Sequence, residues 1–180
     1  MKIYTRKGDD GTTGLYFGGR VRKDDLAPMA YGDVDEAQSA IGVARAHGRD
    51  SAELNEVLIH IERDLWILMA DLATADENRH KLEPGATLVT EEMVDRLETL
   101  IDTYSARYEM PREFIVPGEH LTASYLDLAR AVVRRAERSS IAAAADGSLS
   151  VKYLNRLSDL LFTLARWQEG QSVTAKSVID

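Results

Sequence analysis

Apolar residues that recur every three or four positions constrain the fold of this sequence more than any other feature. Between residues 51 and 75 they form one continuous stripe: Leu54, Val57, Leu58, Ile61, Leu65, Leu68, Met69 and Leu72. This spacing puts them on one face of a long helix, and that face must be buried against other helices. Ser51 is a residue type that caps helix N-termini, so we expect this helix to run from there to about Ala75.

The same periodicity predicts four further helices and little sheet. The first begins at Asp33, which forms a capping-box pattern with Glu36, and ends at His47 before Gly48. The others span roughly residues 90–108, 122–145 and 151–168. The expected fold class is therefore all-α: a five-helix bundle with an irregular N-terminal loop. We expect residues 1–180 to form a single domain, made of an N-terminal arm (1–29), the helical bundle (30–168) and a tail (169–180).

Composition narrows the function classes. The absence of cysteine excludes disulfides, thiolate metal sites and cysteine nucleophiles. The N-terminus lacks the apolar core of a signal peptide, and no apolar run approaches the ~18 residues that cross a bilayer, so we expect a cytoplasmic protein without a membrane partner. The net charge of −8 argues against a general nucleic-acid binder, but it leaves room for one local basic pocket for a nucleotide.

A glycine-rich basic segment precedes the helices, from residue 5 to residue 25. Its five glycines allow backbone N–H groups to turn toward an anion. Hydroxyl donors and cations accompany them: Thr5, Thr12, Thr13, Arg6, Lys7 and Lys23. Two interpretations remain open, a mobile arm and a loop that cradles phosphates. It is not a Walker loop, because the pattern GxxxxGK[ST] is absent.

Three arginines recur at four-residue intervals on the fourth predicted helix: Arg130, Arg134 and Arg138. They share one face, and Glu137 lies three residues from Arg134. The stripe alone indicates either a solvated helix face or a surface for a polyanion such as a nucleoside triphosphate. Asn155, in the first turns of the fifth helix, is either exposed and idle or placed for hydrogen bonding.

One short motif resembles a metal site but lacks the rest of its ligands. Glu77 and His80 form the ExxH pattern of di-iron carboxylate bundles. Such a centre needs two of these pairs and two further inward-facing glutamates. The single copy lies in the polar loop after the second helix, so we predict that this motif binds no metal, and the sequence alone identifies no other metal ligand.

Four segments, in order along the chain, resemble the PduO-type ATP:cob(I)alamin adenosyltransferases. They are YTRKGDDGTTGL from Tyr4, YGDVDEAQSAIGVARA from Tyr31, FIVPG with ARAVVRRAER from Phe114 to Arg138, and YLNRLSDLLFTLAR from Tyr153. Together they extend over nearly the whole chain, and the last two are highly specific.

This resemblance implies a five-helix bundle that assembles as a homotrimer with active sites between subunits. It also implies that the 5′-deoxyadenosyl group of ATP is transferred to the cobalt of cobalamin, with Mg²⁺ assisting and tripolyphosphate leaving. The product would then be delivered to an adenosylcobalamin-dependent enzyme. The alternative is a non-catalytic carrier or sensor that binds ATP and cobalamin.

The same match implies a role for particular residues. Those matching ATP contacts are Thr5, Arg6, Lys7, Gly8, Asp9, Asp10, Gly11, Thr12, Thr13, Gly14, Lys23, Arg134, Arg135, Glu137, Arg138 and Asn155. Asp35 and Arg130 match an ion pair between subunits near the corrin. Phe114 matches the aromatic residue beneath the corrin's lower face, whereas by itself it suggests an ordinary core phenylalanine. With Arg134, these three are the residues expected to act in catalysis.

Three positions depart from the family's pattern: Lys7, Glu119 and Asp127. Lys7 stands where threonine is common, Glu119 replaces the second glycine of FxxPGG, and Asp127 stands where some members have a histidine near the corrin. The last two bear on the shape of the corrin pocket and not on the reaction class.

Overall fold

The computed structural model describes residues 2–178, in which five α-helices form a bundle. The helices are α1 (Leu26–His47), α2 (Ala52–Leu72), α3 (Glu91–Ser105), α4 (Leu121–Ser140) and α5 (Ser150–Glu169). The strands are β1 (Thr12–Gly14), β2 (Arg20–Arg22), β3 (Ile115–Val116) and β4 (Val173–Thr174), and 3₁₀-helices cover Asp76–Lys81 and Ala175–Val178. The predicted all-α fold class is confirmed. None of these helices has the length and apolar character needed to cross a membrane.

The core lies where α4 packs between α1 and α5. Helix α2 packs along α1, and α3 packs along α5. Most of the stripe predicted on α2 is buried, namely Leu54, Leu58, Ile61, Leu65, Leu68 and Leu72, while Val57 and Met69 are half-buried. Each fully buried aliphatic side chain contributes roughly 1.5–3 kcal/mol. The burial of these helically spaced apolar side chains is therefore the main source of stability.

The first predicted helix boundary was wrong. Helix α1 begins at Leu26, so Asp33 lies inside the helix and does not cap it. Pro28 is tolerated in the first turn because the N–H groups there have no intrahelical partner. The other boundaries shift less: α2 ends at Leu72, and α3 ends at Ser105. Ser51 caps α2 as predicted, accepting a hydrogen bond from the Leu54 N–H at 3.3 Å.

The sequence patterns did not predict the four short strands. Strands β1 and β2 form an antiparallel hairpin within the N-terminal arm, with Thr13 opposite Val21. The Tyr16 N–H donates to the Ala73 carbonyl at 2.9 Å, which ties this hairpin to the end of α2. Strand β3 pairs with β4 in the tail after α5. Two or three residues are too few to show a period in sequence.

Two buried aspartates connect α2 to its neighbours. Asp64 pairs with Arg96 of α3 and accepts a hydrogen bond from the Tyr153 hydroxyl of α5 at 3.0 Å. Burial, together with the Asp64 charge, raises the pKa of Tyr153. Asp71 lies 2.8 Å from an Arg79 nitrogen and accepts from the Ser150 hydroxyl at 3.2 Å. The C-terminal end of α2 is thereby held against the N-terminal end of α5.

A glycine is required at position 48, after α1, because neighbouring side chains leave no room for a Cβ. The backbone angle there is not unusual. Its φ of −88° is one that any residue adopts. A Cβ at this position would lie 2.7 Å from Leu54 Cδ2 and 2.9 Å from Thr122 Cγ2. The glycine therefore allows the end of α1 to approach the starts of α2 and α4.

We expect Gly48→Ala to destabilise the protein by roughly 1–3 kcal/mol, because the new methyl group overpacks this junction. Gly42→Ala is the matched control within the same helix, since its Cβ would meet Glu62 Oε1 at an ordinary 3.5 Å. That variant should be about 0.5–1 kcal/mol more stable, because alanine favours the helix. Urea unfolding of both variants measures the difference. Equal stabilities would contradict the steric explanation.

Candidate functional site

A cleft of about 570 Å³ lies on the surface of α5, between α3 and α4. Three arginines line it, Arg130, Arg134 and Arg156, together with three acidic residues, Glu98, Asp102 and Asp159. Its size is within the range of small-molecule sites. Of the three arginines in the α4 stripe, Arg130 and Arg134 therefore face this cleft.

Side-chain hydrogen bonds connect the C-terminal part of α4 to the N-terminal part of α5. Asn155 Nδ2 donates to Glu137 Oε1 at 2.9 Å, and Arg156 Nη1 donates to Asn155 Oδ1 at 2.6 Å. Arg138 Nη1 donates to the Arg134 carbonyl at 2.9 Å. Asn155 is thus placed for hydrogen bonding, which settles the two interpretations of this residue.

Arg135 points elsewhere. It pairs with Glu36 of α1, and its Nε lies 3.7 Å from Asp33 Oδ1. The hydrogen bond to Glu36 and the charges of both carboxylates raise the pKa of Arg135. In this chain Arg135 joins α4 to α1, and it does not line the cleft.

The N-terminal arm is held by its own side chains. Asp10 Oδ1 accepts from the Thr12 hydroxyl at 2.8 Å and from its N–H at 2.9 Å, and these hydrogen bonds lower the pKa of Asp10. Arg20 Nη2 donates to the Lys7 carbonyl at 2.6 Å, and Arg20 Nε donates to the Thr12 hydroxyl at 3.1 Å. Sequence reasoning missed Arg20, although its place on a strand opposite Gly14 gives it this reach.

Lys23 lies against the glycine loop. Its N–H donates to the Gly11 carbonyl at 2.9 Å. A Cβ on Gly8 would be only 3.1 Å from Lys23 Nζ, so the glycine lets the ammonium group approach the backbone. Most residues from Thr5 to Gly14 are exposed, although the N–H groups of Asp9, Gly11 and Thr12 already donate within the loop.

The arm lies at the same end of the bundle as residues 134–138 of α4 and Asn155 of α5. Strand β2 leads directly into the N-terminus of α1, where Asp33 contacts Arg135 of α4. The N-terminus of α5 carries Asn155 to the same end. Among the described residues, no side-chain hydrogen bond or ion pair joins the arm to residues 134–138. The two groups are neighbours in one chain without direct contact.

Phe114 lies on the surface at a second cleft, of about 450 Å³. Its side chain is 89% exposed, so the interpretation as an ordinary core phenylalanine was wrong. The backbone beside it is anchored, because the Ala175 N–H donates to the Phe114 carbonyl at 2.7 Å. Arg130 and Phe162 line both clefts, so the two clefts are adjacent, and we call them together the groove. Residues of α3, α4 and α5 line most of the first cleft, and the segment 111–117 lines most of the second. Phe162 was not singled out from sequence, where it looks like one more apolar residue of α5.

Asp35 and Arg130 do not pair within the chain. Asp35 is exposed on α1, and the only described ion pair of Arg130 is with Asp127, whose Oδ1 lies 3.4 Å from the Arg130 Nε. Asp127 is itself 5% exposed and does not line the groove, whereas Glu119 is exposed. Of these two departures from the family's pattern, Asp127 is therefore buried beneath the groove and Glu119 is at the surface.

Comparison with known proteins agrees with this arrangement. The family model described as cobalamin adenosyltransferase matches residues 3–168. The corrinoid adenosyltransferase of Mycobacterium tuberculosis is 43% identical over 97% of this chain and 96% of its own length, and that of Mycobacterium leprae is 46% identical over 92% and 90%. A variant PduO-type ATP:corrinoid adenosyltransferase from Lactobacillus reuteri, solved with cobalamin and ATP, superposes with a TM-score of 0.86 at 31% identity, covering 97% of this chain and 99% of the other.

Both the length of these matches and their level of identity exclude a likeness confined to one motif. The groove, the glycine-rich arm and the five helices all fall inside the matched range. This chain belongs to the cobalamin adenosyltransferase family.

Proposed function

We propose that this protein transfers the 5′-deoxyadenosyl group of ATP to the cobalt of cob(I)alamin and releases tripolyphosphate. The observation that carries the proposal is the pair of adjacent clefts, one lined by Arg134 and Arg156 and the other by Phe114, with Arg130 and Phe162 shared between them. Guanidinium groups that can donate to phosphate oxygens thus lie beside a cleft that contains an exposed aromatic ring. The structure with both ligands that superposes on this chain supports the same pairing of substrates.

The chemistry requires little from the protein beyond position and charge. Co(I) donates an electron pair to the 5′-carbon of ATP, and a cobalt–carbon bond forms as the carbon–oxygen bond breaks. That bond's electron pair leaves with the tripolyphosphate. Since the cobalt is the nucleophile, the absence of cysteine and of a serine–histidine pair is no obstacle. The protein's task is to hold the two substrates in line.

The leaving tripolyphosphate gains negative charge, which cations and backbone N–H groups stabilise. Arg134 and Arg138 offer planar donor forks that match phosphate oxygens, and Lys23 adds an ammonium group beside the glycine loop. We infer that the arm from Thr5 to Gly14 closes over the phosphates. Mg²⁺ carried by the nucleotide fits one carboxylate here: Glu137, whose Oε1 accepts from Asn155 and whose Oε2 has no such partner among the described residues.

We further propose that the working assembly is a homotrimer with sites between subunits. Asp35 is exposed, and Arg130 presents a guanidinium group whose only pairing within the described chain is at Nε. Trp66 is 53% exposed on α2, which is more than a core residue would be. A closed ring of identical contacts would pair Asp35 of one copy with Arg130 of the next and would cover Trp66.

We place this reaction in the cytoplasm, where reducing conditions favour Co(I). An adenosylcobalamin-dependent enzyme would receive the product. In this scheme residues 1–180 act as one domain whose arm supplies the phosphate contacts.

We expect the protein to form adenosylcobalamin and tripolyphosphate in equal amounts from ATP, Mg²⁺ and chemically reduced cobalamin. Arg134→Ala should raise the barrier by about 2–4 kcal/mol, and Arg134→Lys by less, because lysine keeps the charge but loses the fork. The visible spectrum of cobalamin follows the reaction. Arg49→Ala, an exposed arginine just beyond α1, is the matched control and should leave the rate unchanged. Binding of both ligands without tripolyphosphate release would instead indicate the carrier.

We expect Phe114→Ala to impair reactions that start from cob(II)alamin and a mild reductant far more than reactions supplied with cob(I)alamin. An apolar ring beneath the corrin displaces the lower ligand of cobalt, and the four-coordinate centre accepts an electron more easily. Because Phe114 is 89% exposed, its removal should change the free energy of unfolding by less than about 0.5 kcal/mol. Rates from the two cobalt states, measured side by side, provide the test. Equal activity from both would eliminate the role of the ring.

We expect light scattering to give the mass of three chains at micromolar protein. Asp35→Lys should shift the mass toward smaller species, because it places like charges at the proposed contact with Arg130. Adding Arg130→Glu restores opposite charges and should restore the trimer. A monomer mass for the natural chain would refute the assembly.

A further inference from the structure

One buried arginine lies behind the two side chains that both clefts share. Arg166 is 1% exposed, and its Cζ lies 5.2 Å from the centre of the Phe162 ring. Its Nη2 donates to Asp127 Oδ2 at 2.6 Å. The other oxygen of the same carboxylate, Oδ1, faces the Arg130 Nε at 3.4 Å. Asp127 therefore connects a buried arginine of α5 to the arginine that α4 presents to the groove.

A second carboxylate makes this cluster neutral. Glu169 Oε2 lies 3.1 Å from the Arg166 Nε and accepts a hydrogen bond from the Ser172 hydroxyl at 2.6 Å. The four charged groups, two arginines and two carboxylates, cancel. With its charges balanced, the cluster can remain buried without a proton or a counterion from solvent.

Stability alone is a weak explanation for this cluster. Charged groups lose hydration when they are buried, and apolar residues of similar volume often stabilise a protein equally well. The hydrogen bonding is also incomplete, because Arg166 Nη1 and Glu169 Oε1 have no partner among the described residues. Buried polar groups are normally satisfied, and exceptions frequently accompany function. The partly exposed charged group that contacts this cluster is Arg130.

We propose that the buried Asp127–Arg166 pair is a positioning element for Arg130 in adenosyl transfer. The inference rests on the proposed function. Asp127 is held from behind by Arg166, so its free oxygen is fixed in space and restrains the Arg130 Nε. The Arg130 Nη groups are then turned toward the groove between the phosphate end and Phe114. An arginine with a restrained guanidinium plane is oriented before the substrates arrive.

A variant without the cluster separates positioning from packing. Asp127→Leu, Arg166→Met and Glu169→Gln together remove the buried charges and leave none of them unpaired. We expect this triple variant to fold with at least the stability of the natural chain. With cob(I)alamin supplied, its kcat should fall at least tenfold while its KM for ATP stays within twofold. A structural role alone would leave both constants unchanged in a folded protein.

A second readout follows Arg130 itself, by nitrogen-15 relaxation of its Nε–H group. Its signal is assigned by its loss in Arg130→Lys. In the natural chain this group should be as rigid as the backbone, whereas in the triple variant it should move freely on the nanosecond timescale. The matched control removes another ion pair with a buried carboxylate, with Asp64→Asn and Arg96→Gln, and keeps an acceptor for the Tyr153 hydroxyl. We expect this control to lose stability but to keep its kcat and the rigidity of Arg130.

The outcomes are distinguishable. Natural kinetics together with a rigid Arg130 in the triple variant would overturn the positioning role and leave the proposed function intact. A natural chain that makes no adenosylcobalamin would refute the proposed function, and the catalytic role of the pair with it. A lowered kcat with a mobile Arg130, and with neither change in the control, supports the proposal.

Discussion

The packing of α4 between α1 and α5 determines where every group of the proposed site lies. One face of α4 is buried through Leu126, Val133 and the small residues Ala129 and Ala136, which bring the neighbouring helices close. The remaining surface of the helix carries the arginines. Because a helix rises about 1.5 Å per residue, groups four positions apart are separated by about 6 Å along its axis. The burial of one face therefore sets both the direction and the spacing of the guanidinium groups.

Much of this arrangement could be predicted from sequence because it depends on a long period. The stripe of α2 and the arginine stripe of α4 repeat over several turns, so errors of one or two residues at the ends do not matter. The misplaced start of α1 shows the limit of local signals. Asp33 and Glu36 have the pattern of a cap, yet in the fold both contact Arg135. A capping pattern and a pair of acidic residues facing a neighbouring helix look the same in sequence.

The features that could not be predicted from sequence depend on contacts between distant segments. Gly48 resembles an ordinary helix terminator until Leu54 and Thr122 are seen to occupy the space of its side chain. Phe114 resembles a core residue until the pairing of β3 with β4 holds its backbone at the surface. The Asp127–Arg166 pair joins residues 39 positions apart on two different helices. Such features follow from the fold and not from any local window.

The positions of these groups explain why a helical bundle suits the proposed reaction. The two substrates need opposite surroundings, cationic for the tripolyphosphate and apolar for the lower face of the corrin. The groove offers both, because α4 and α5 supply the arginines of the first cleft and the segment 111–117 supplies Phe114 and most of the lining of the second. Arg130 lies between the two surroundings and must remain oriented without attracting phosphate away from Arg134. A carboxylate on its Nε accomplishes this, since it offsets part of the charge while leaving the Nη donors free. The placement of Asp127 beneath the groove is consistent with that balance.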